Sequence, residues 1–189
     1  MKWAAGAAQA LAPGETVCGD GYRILPLEGR TLVCVVDGLG HGPMAWKATD
    51  RLLGFVTQHP HLSLIDLLVE GGRALAPTRG AAATFARLTP ERIEVAGVGN
   101  VRVHARAERS FSPLPAPGIL GATHAAPREF ACRVTAGDTF FIYTDGIGHE
   151  PNLPQGIASL SLQEVAEAVL LASKERLDDA TVVAVRATL

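Results

Sequence analysis

A chain of 189 residues is one domain's worth of polypeptide, with little room for a second, regulatory domain. Hydrophobic residues make up 48% and charged residues 19%, which excludes intrinsic disorder; a chain this long buries about 70% of its unfolded surface without needing a disulfide or zinc staple. Seventeen basic against nineteen acidic residues leave a net charge of −2, so no electrostatic footprint for nucleic acid is present.

Cys18, Cys34 and Cys132 are widely spaced and form no CxxC pair, and they read as reduced core thiols of a cytoplasmic protein. No uncharged apolar run approaches the ~18 residues of a membrane span. The opening MKWAAGAAQALAPG mimics a secretory signal, but Gly6 and Gln9 interrupt alanines too weakly apolar for its hydrophobic region. Residues 1–16 are therefore expected to form an edge strand or an ordered tail. A Cys-Gly-Asp-Gly turn leads into a strand at 22–27, and the β-branched run 31–36 has the character of a buried strand that stops at Asp37-Gly38. Pro43 suits the first turn of a helix carrying Met44, Ala48, Leu52 and Phe55 at helical spacing. Ser63 and Asp66 form a capping box for a second helix with Leu64, Leu67, Leu68 and Leu75 on one stripe. Strands follow at 82–88, 93–96 and 101–105, the last two joined by turn chemistry at Gly97, Gly99 and Asn100. A Pro-rich surface loop at 112–121 precedes strands at 128–134 and 139–144, which flank the turn Ala136-Gly137-Asp138. Ser161 and Glu164 cap a third helix with Val165, Ala168, Val169 and Ala172 inward, and a strand at 181–185 closes the pattern. Hairpin-linked strands bracketed by helices argue for an α+β domain with antiparallel sheets.

The chemistry concentrates at acidic strand ends. Asp37 ends a buried strand and opens the glycine-dense turn Asp-Gly-Leu-Gly-His-Gly; the strand TFFIYT runs into Asp145-Gly146 in the same way. Asp20 and the pair Asp178-Asp179 add acidic turns beside two further strands. One Asp-Gly is a commonplace turn. Four such sites supply the converging oxygen ligands a hard divalent cation takes, with glycines allowing close backbone approach. A dinucleotide fingerprint fails because Pro43 follows where its third glycine belongs, and no phosphate-binding G-x-x-x-x-G-K-[ST] loop is present.

The ordered set Cys-Gly-Asp20, Val-Asp37-Gly-Leu-Gly-His-Gly, Gly80-Ala-Ala-Ala-Thr-Phe-Ala, Glu94-Val-Ala-Gly-Val-Gly-Asn, Gly118-Ile-Leu-Gly, Gly137-Asp-Thr-Phe-Phe-Ile-Tyr-Thr-Asp145-Gly and Asp178-Asp-Ala-Thr-Val-Val resembles the metal-dependent PPM (PP2C-type) serine/threonine phosphatases, in their bacterial SpoIIE-like branch. The likeness spans nearly the whole chain, read as a single phosphatase domain over 1–189, and within the branch is greatest to small phosphatases that act on the stressosome. It implies a four-layer α/β/β/α sandwich, two central antiparallel sheets flanked by helix pairs. It also implies two Mn²⁺ or Mg²⁺ ions. Asp37 would bridge them, the Gly38 carbonyl would bind one, and Asp20, Asp145 and Asp178 would complete the other's shell, with Asp179 supporting it. Two cations sharing a solvent molecule make hydroxide available near neutral pH and offset phosphoryl charge. Asp37 and His41 are then the catalytic candidates. Two roles compete for His41, general acid or second-sphere group on one side and helix entry on the other, because the branch with a histidine directly after Asp-Gly differs here at Leu39. No arginine precedes Asp20, where the eukaryotic branch has one that grips phosphate.

The leading expectation is a cytoplasmic protein phosphatase, monomeric when free, acting on phosphoserine or phosphothreonine of stressosome-type scaffold or STAS-domain proteins. Neither nucleic acid nor membrane is an expected partner. A catalytically idle phosphatase-like binding module and a phosphoesterase for small nucleotides are the alternatives. His59, His61, His104, His124 and His149 lie outside the motifs and read as solvated or structural.

Overall fold

Alternation along the strands sorts the apolar residues into three layers of core. The computed structural model describes residues 1–173 and 177–189. Its strands are β1 (Lys2–Ala10), β2 (Asp20–Leu27), β3 (Arg30–Gly38), β4 (Ala81–Leu88), β5 (Arg92–Val98), β6 (Arg102–Arg106), β7 (Phe130–Arg133), β8 (Thr139–Tyr143) and β9 (Ala180–Thr188). Its helices are α1 (Gly42–Gln58), α2 (Leu64–Ala74) and α3 (Leu162–Ser173). The strands form two antiparallel sheets, ordered β2-β3-β4-β5-β7 and β1-β9-β8-β6.

On β3, Val33 and Val35 point between the sheets, where they meet Phe140, Ile142, Val183 and Val185. Leu32, Cys34 and Val36 point the other way, under α1 and α2. On β8 and β9, Phe141, Tyr143, Val182 and Ala184 face α3. The result is the α/β/β/α sandwich the resemblance implied, with one difference. The β1-β9-β8-β6 sheet is covered by α3 and short 3-10 turns at Asp145–Ile147 and Ile157–Ser159, not by a helix pair. The three cysteines are buried and free, as read from the sequence.

The opening residues form an edge strand, β1, paired along its length with β9. They are small because α3 lies on them: a Cβ on Gly6 would stand 2.2 Å from the Leu162 carbonyl carbon. What mimicked a signal sequence is a strand shaped to fit a helix. Ser161 and Glu164 do cap α3 reciprocally, each backbone N–H donating to the other's side chain.

Four local readings change in the folded chain. Strands β5 and β6 are not a hairpin: β5 pairs with β4 and β7, β6 pairs with β8, and the chain crosses between sheets at Gly99-Asn100. The turn before β8 is likewise a crossing, held by Asp138, which accepts from the N–H groups of Glu108 and Thr135. Turn chemistry is the same for both kinds of connection, so only the packing of two apolar faces decides between them. The Pro-rich loop is not confined to the surface either, since Ala116 and Leu120 bridge to Val98 and Ala81 and Leu120 is fully buried. Finally, the helix stripes are rotated. Met44 is 50% exposed while Ala45, Ala48, Leu52 and Val56 face the sheet, and Leu162, Val165, Ala166 and Val169 take the inward positions on α3, where Ala172 is exposed. One residue of offset turns a stripe by about 100°.

Candidate active site

Antiparallel strands run in alternate directions, so the start of β2, the end of β3, the start of β4 and the end of β5 meet at one end of the sandwich. The end of β8 and the start of β9 meet there from the other sheet. Asp20 opens β2 directly opposite Asp37 on β3, Asp145 follows β8, and Asp178 and Asp179 precede β9. The glycines beside them permit close approach. A Cβ on Gly38 would fall 2.2 Å from the Ala45 carbonyl oxygen of α1, and one on Gly146 would fall 2.0 Å from the Asp179 carbonyl oxygen.

The carboxylates open onto a cleft of about 430 Å³ whose walls include Asp37, Asp145, Asp178, Asn100 and His41, with Leu39, Ile119 and Leu177 as its apolar parts. A neighbouring cavity of about 290 Å³ shares Asp145 and Asp178 and adds Arg102 and His149. Asp20 does not reach the cleft wall; it is 2% exposed and accepts a 2.7 Å hydrogen bond from the Thr144 hydroxyl. Asn100 donates its side-chain N–H to Asp145 at 2.7 Å and also reaches Asp37.

Crowding shows in the protonation of these groups. Burial, with added repulsion from Asp20, Asp145 and Asp178, pushes the Asp37 carboxyl up to about 8. Burial also pushes Asp20 up to about 7, against hydrogen bonds from Thr144 and Thr181 and with repulsion from Asp179 and Asp145. Asp178 is raised as well, by partial burial first. Acidic groups are concentrated here, and among the described residues no lysine or arginine lines the larger cleft.

Adjacent aspartates play different parts. Both carboxylate oxygens of the buried Asp179 accept backbone N–H groups, from Ala12 and Gly19, each at 2.8 Å. Asp179 thus fastens the segment between β1 and β2, whereas Asp178 is exposed and lines the cleft. Asp179→Ala is expected to destabilise the fold by about 2–6 kcal/mol in urea titration, since two buried donors lose their acceptor at about 1–3 kcal/mol each. Asp178→Ala, which loses only the 2.8 Å hydrogen bond its carboxylate accepts from the Asp179 N–H, should cost no more than about 1.5 kcal/mol in the same titration. Equal loss at both positions would refute this division.

His41 occupies the N-cap position of α1 without a side-chain capping bond, and its Nδ1 contacts the Glu15 carboxylate. A Cβ on Gly42, at φ 70°, would run into the Glu15 carboxylate. Glu15 went unnoticed in the sequence because nothing local marks it; only the return of the chain between β1 and β2 brings it to the cleft. Asn100 and Thr144 sit inside the quoted motifs, and their position beside acidic strand ends was the available signal. Of the remaining histidines, His59 packs at a tilt against Phe55, with ring centroids 4.6 Å apart, and the His104 ring centroid lies 6.3 Å from that of Phe141.

The family model for stage II sporulation protein E, SpoIIE, matches residues 27–188. The chain belongs to the SpoIIE family. Among its relatives, the phosphoserine phosphatase RsbX of Bacillus subtilis (strain 168) is 27% identical over 177 residues, 89% of this chain and 86% of RsbX. A solved structure described as the bacterial stressosome, a modular system adapted to control secondary messenger signalling, superimposes with a TM-score of 0.91 at 28% identity, covering 98% of this chain and 100% of that one. RsbX in complex with magnesium superimposes at 0.83 with 23% identity, covering 95% and 92%. More distant serine/threonine phosphatases share the fold alone.

Membership of the SpoIIE family gives this chain kinship with PP2C-like phosphatases, and solved structures of RsbX and of the PstP catalytic domain hold magnesium and manganese. The donor set in this SpoIIE-family chain is chemically apt for such ions: hard, mutually repelling carboxylate oxygens, with no lysine or arginine lining the cleft among the described residues. Among the described residues, no group of three or more His, Cys, Asp or Glu side chains is drawn together closely enough to hold an ion unaided. Water and backbone carbonyls are usual further ligands for magnesium, so such an ion does not need an all-carboxylate cage.

Proposed function

We propose that this SpoIIE-family chain is a divalent-metal-dependent protein phosphatase that removes phosphate from phosphoserine or phosphothreonine of stressosome-type proteins, STAS-domain scaffolds included. The observation that carries the reading is the cluster of mutually repelling carboxylates at one end of the sandwich, from buried Asp20 through half-buried Asp37 and Asp145 to exposed Asp178, opening on a cleft. Asp37, Asp145, Asp178 and the Gly38 carbonyl would hold two Mn²⁺ or Mg²⁺ ions. Asp20, beneath Asp37, adds the deepest negative charge to that set; Asp179 supports it through the backbone. When bound, the ions supply an activated water and offset charge on the phosphoryl oxygens.

The chain's own residues do the rest. Asn100 fixes Asp145 and Asp37 in their rotamers through its amide. His41, steadied by Glu15, stands at the cleft wall as the general acid for the departing serine oxygen. Leu39, Ile119 and Leu177 give the cleft an apolar lip suited to a protein surface. Kinship with RsbX, described as a phosphoserine phosphatase, supports the choice of substrate class.

The test is phosphate release from phosphorylated STAS-domain scaffold proteins with Mn²⁺ or Mg²⁺ and with chelator. Release that needs the ion is the expected result. Release that ignores chelator overturns the metal mechanism, and tight substrate binding without release marks a binding module.

A further inference from the structure

The proposed reaction leaves a problem of charge. Four ionised aspartates, Asp20, Asp37, Asp145 and Asp178, balance two dications, so a phosphate dianion entering the cleft meets no net positive charge from the set. Among the described residues, no lysine or arginine lines the cleft, and His41 is already answered by Glu15. Arg102 lies in the neighbouring cavity and donates to the Gly148 carbonyl at 3.3 Å.

Arg79 stands apart from these. It is exposed and makes no hydrogen bond or ion pair among the described residues, yet its backbone is clamped to the catalytic turn. The Gly80 N–H donates to the Thr78 hydroxyl at 3.0 Å, that hydroxyl donates to the Leu75 carbonyl at 2.7 Å, and the Gly80 carbonyl accepts from the Leu39 N–H at 3.1 Å. The guanidinium reaches across to Gly40: its Nη1 is 3.3 Å from the point a Cβ there would occupy. Gly40, at φ 91°, lines the cleft two residues beyond Gly38. An unpartnered guanidinium is thus parked over the rim of an anionic cleft, on a rigid base and with its fork free.

Resting on the hydrolase reading above, we infer that Arg79 grips the phosphate of the incoming phosphoresidue and positions it in the cleft. The planar fork of arginine matches two phosphate oxygens at once, which a lysine does not. Because the side chain is exposed, the contact is expected to set affinity more than turnover.

The probe is a fluorescent peptide carrying one phosphoserine, followed by anisotropy in Mg²⁺ beside its unphosphorylated twin, and by steady-state hydrolysis. For Arg79→Ala, dissociation constant and KM should both rise about tenfold, equivalent to about 1.4 kcal/mol, with kcat changing by less than about threefold, as for an interaction shared by ground and transition states. Arg79→Lys should recover part of the loss, and salt should weaken binding by the wild type more than by Arg79→Ala. Melting temperature should be unchanged in both variants. Equal affinity of wild type and Arg79→Ala for the phosphopeptide overturns the inference, as does a wild type that binds both peptides alike. Arg79-dependent binding without any turnover would leave the inference standing and overturn only the hydrolase reading.

Discussion

Asp37→Asn is expected to lower metal-dependent phosphoserine hydrolysis by about 10³-fold in kcat/KM while leaving the metal-free protein at least as stable as wild type. Asparagine keeps the size of the side chain and removes the one charge that the cleft, Asp20 behind it and Asp145 and Asp178 beside it all surround. Removal of a single preorganised electrostatic group costs about 10²–10³ in rate, and here the same carboxylate is proposed to hold both ions. Stability should move the other way, because a buried carboxyl raised by burial and three like-charged neighbours is a net cost at neutral pH. At pH 8 the variant should melt a few degrees above metal-free wild type, at about 2–4 °C per kcal/mol for a chain of this length. Activity and melting are read on one preparation. Wild-type activity in the variant would remove Asp37 from the chemistry, and a lower melting temperature would contradict the electrostatic account of the cluster.

Without divalent ions, the fold should lose stability as pH rises from about 4 to about 8. In the unfolded chain the two carboxyls release their protons near 3.8; in the fold Asp20 keeps its proton to about 7 and Asp37 to about 8. Across that window the folded state binds more protons, so stability from these groups is fully present below 3.8 and is lost as pH climbs through the folded values. Ions compete with those protons for the same oxygens. Added Mg²⁺ or Mn²⁺ should therefore stabilise little at pH 5 and most at pH 8. At a hundred times the dissociation constant the gain is about 2.7 kcal/mol, or about 5–10 °C in melting temperature. Thermal melts at pH 5, 6, 7 and 8 with and without ion check this. A metal-free protein that grows more stable across that range, or an ion effect independent of pH, would refute it.

Much of this was legible in one dimension. Each aspartate of the proposed set lies at or beside a strand end, and Asp20, Asp37 and Asp145 are each followed by glycine; that pattern needs no fold to be seen. Strand alternation in 31–36 and the capping residues Ser63 and Ser161 were equally local, since each depends on neighbours within one or two turns of chain. What failed locally failed for a common reason. Gly97 to Asn100 has the chemistry of a hairpin turn, but β5 and β6 went to different sheets, because each had an apolar face to bury against the other sheet. Met44 and Ala45 are both apolar, and only the seating of Ala45 on Gly19 and Gly38 turned the helix so that Met44 met solvent.

By itself the sequence determined the chemical type of the site: hard oxygen donors at strand ends, beside glycines that let backbone approach, in the order of a PP2C-like phosphatase. Tertiary structure alone separated Asp178 from Asp179, set Glu15 against His41 and laid Arg79 over Gly40. Donor chemistry belongs to a residue and its neighbours, and so is written in the chain. Whether a carboxylate faces a cleft or a backbone N–H, and which distant charge lies beside it, depends on elements far apart in sequence, and only packing brings them together.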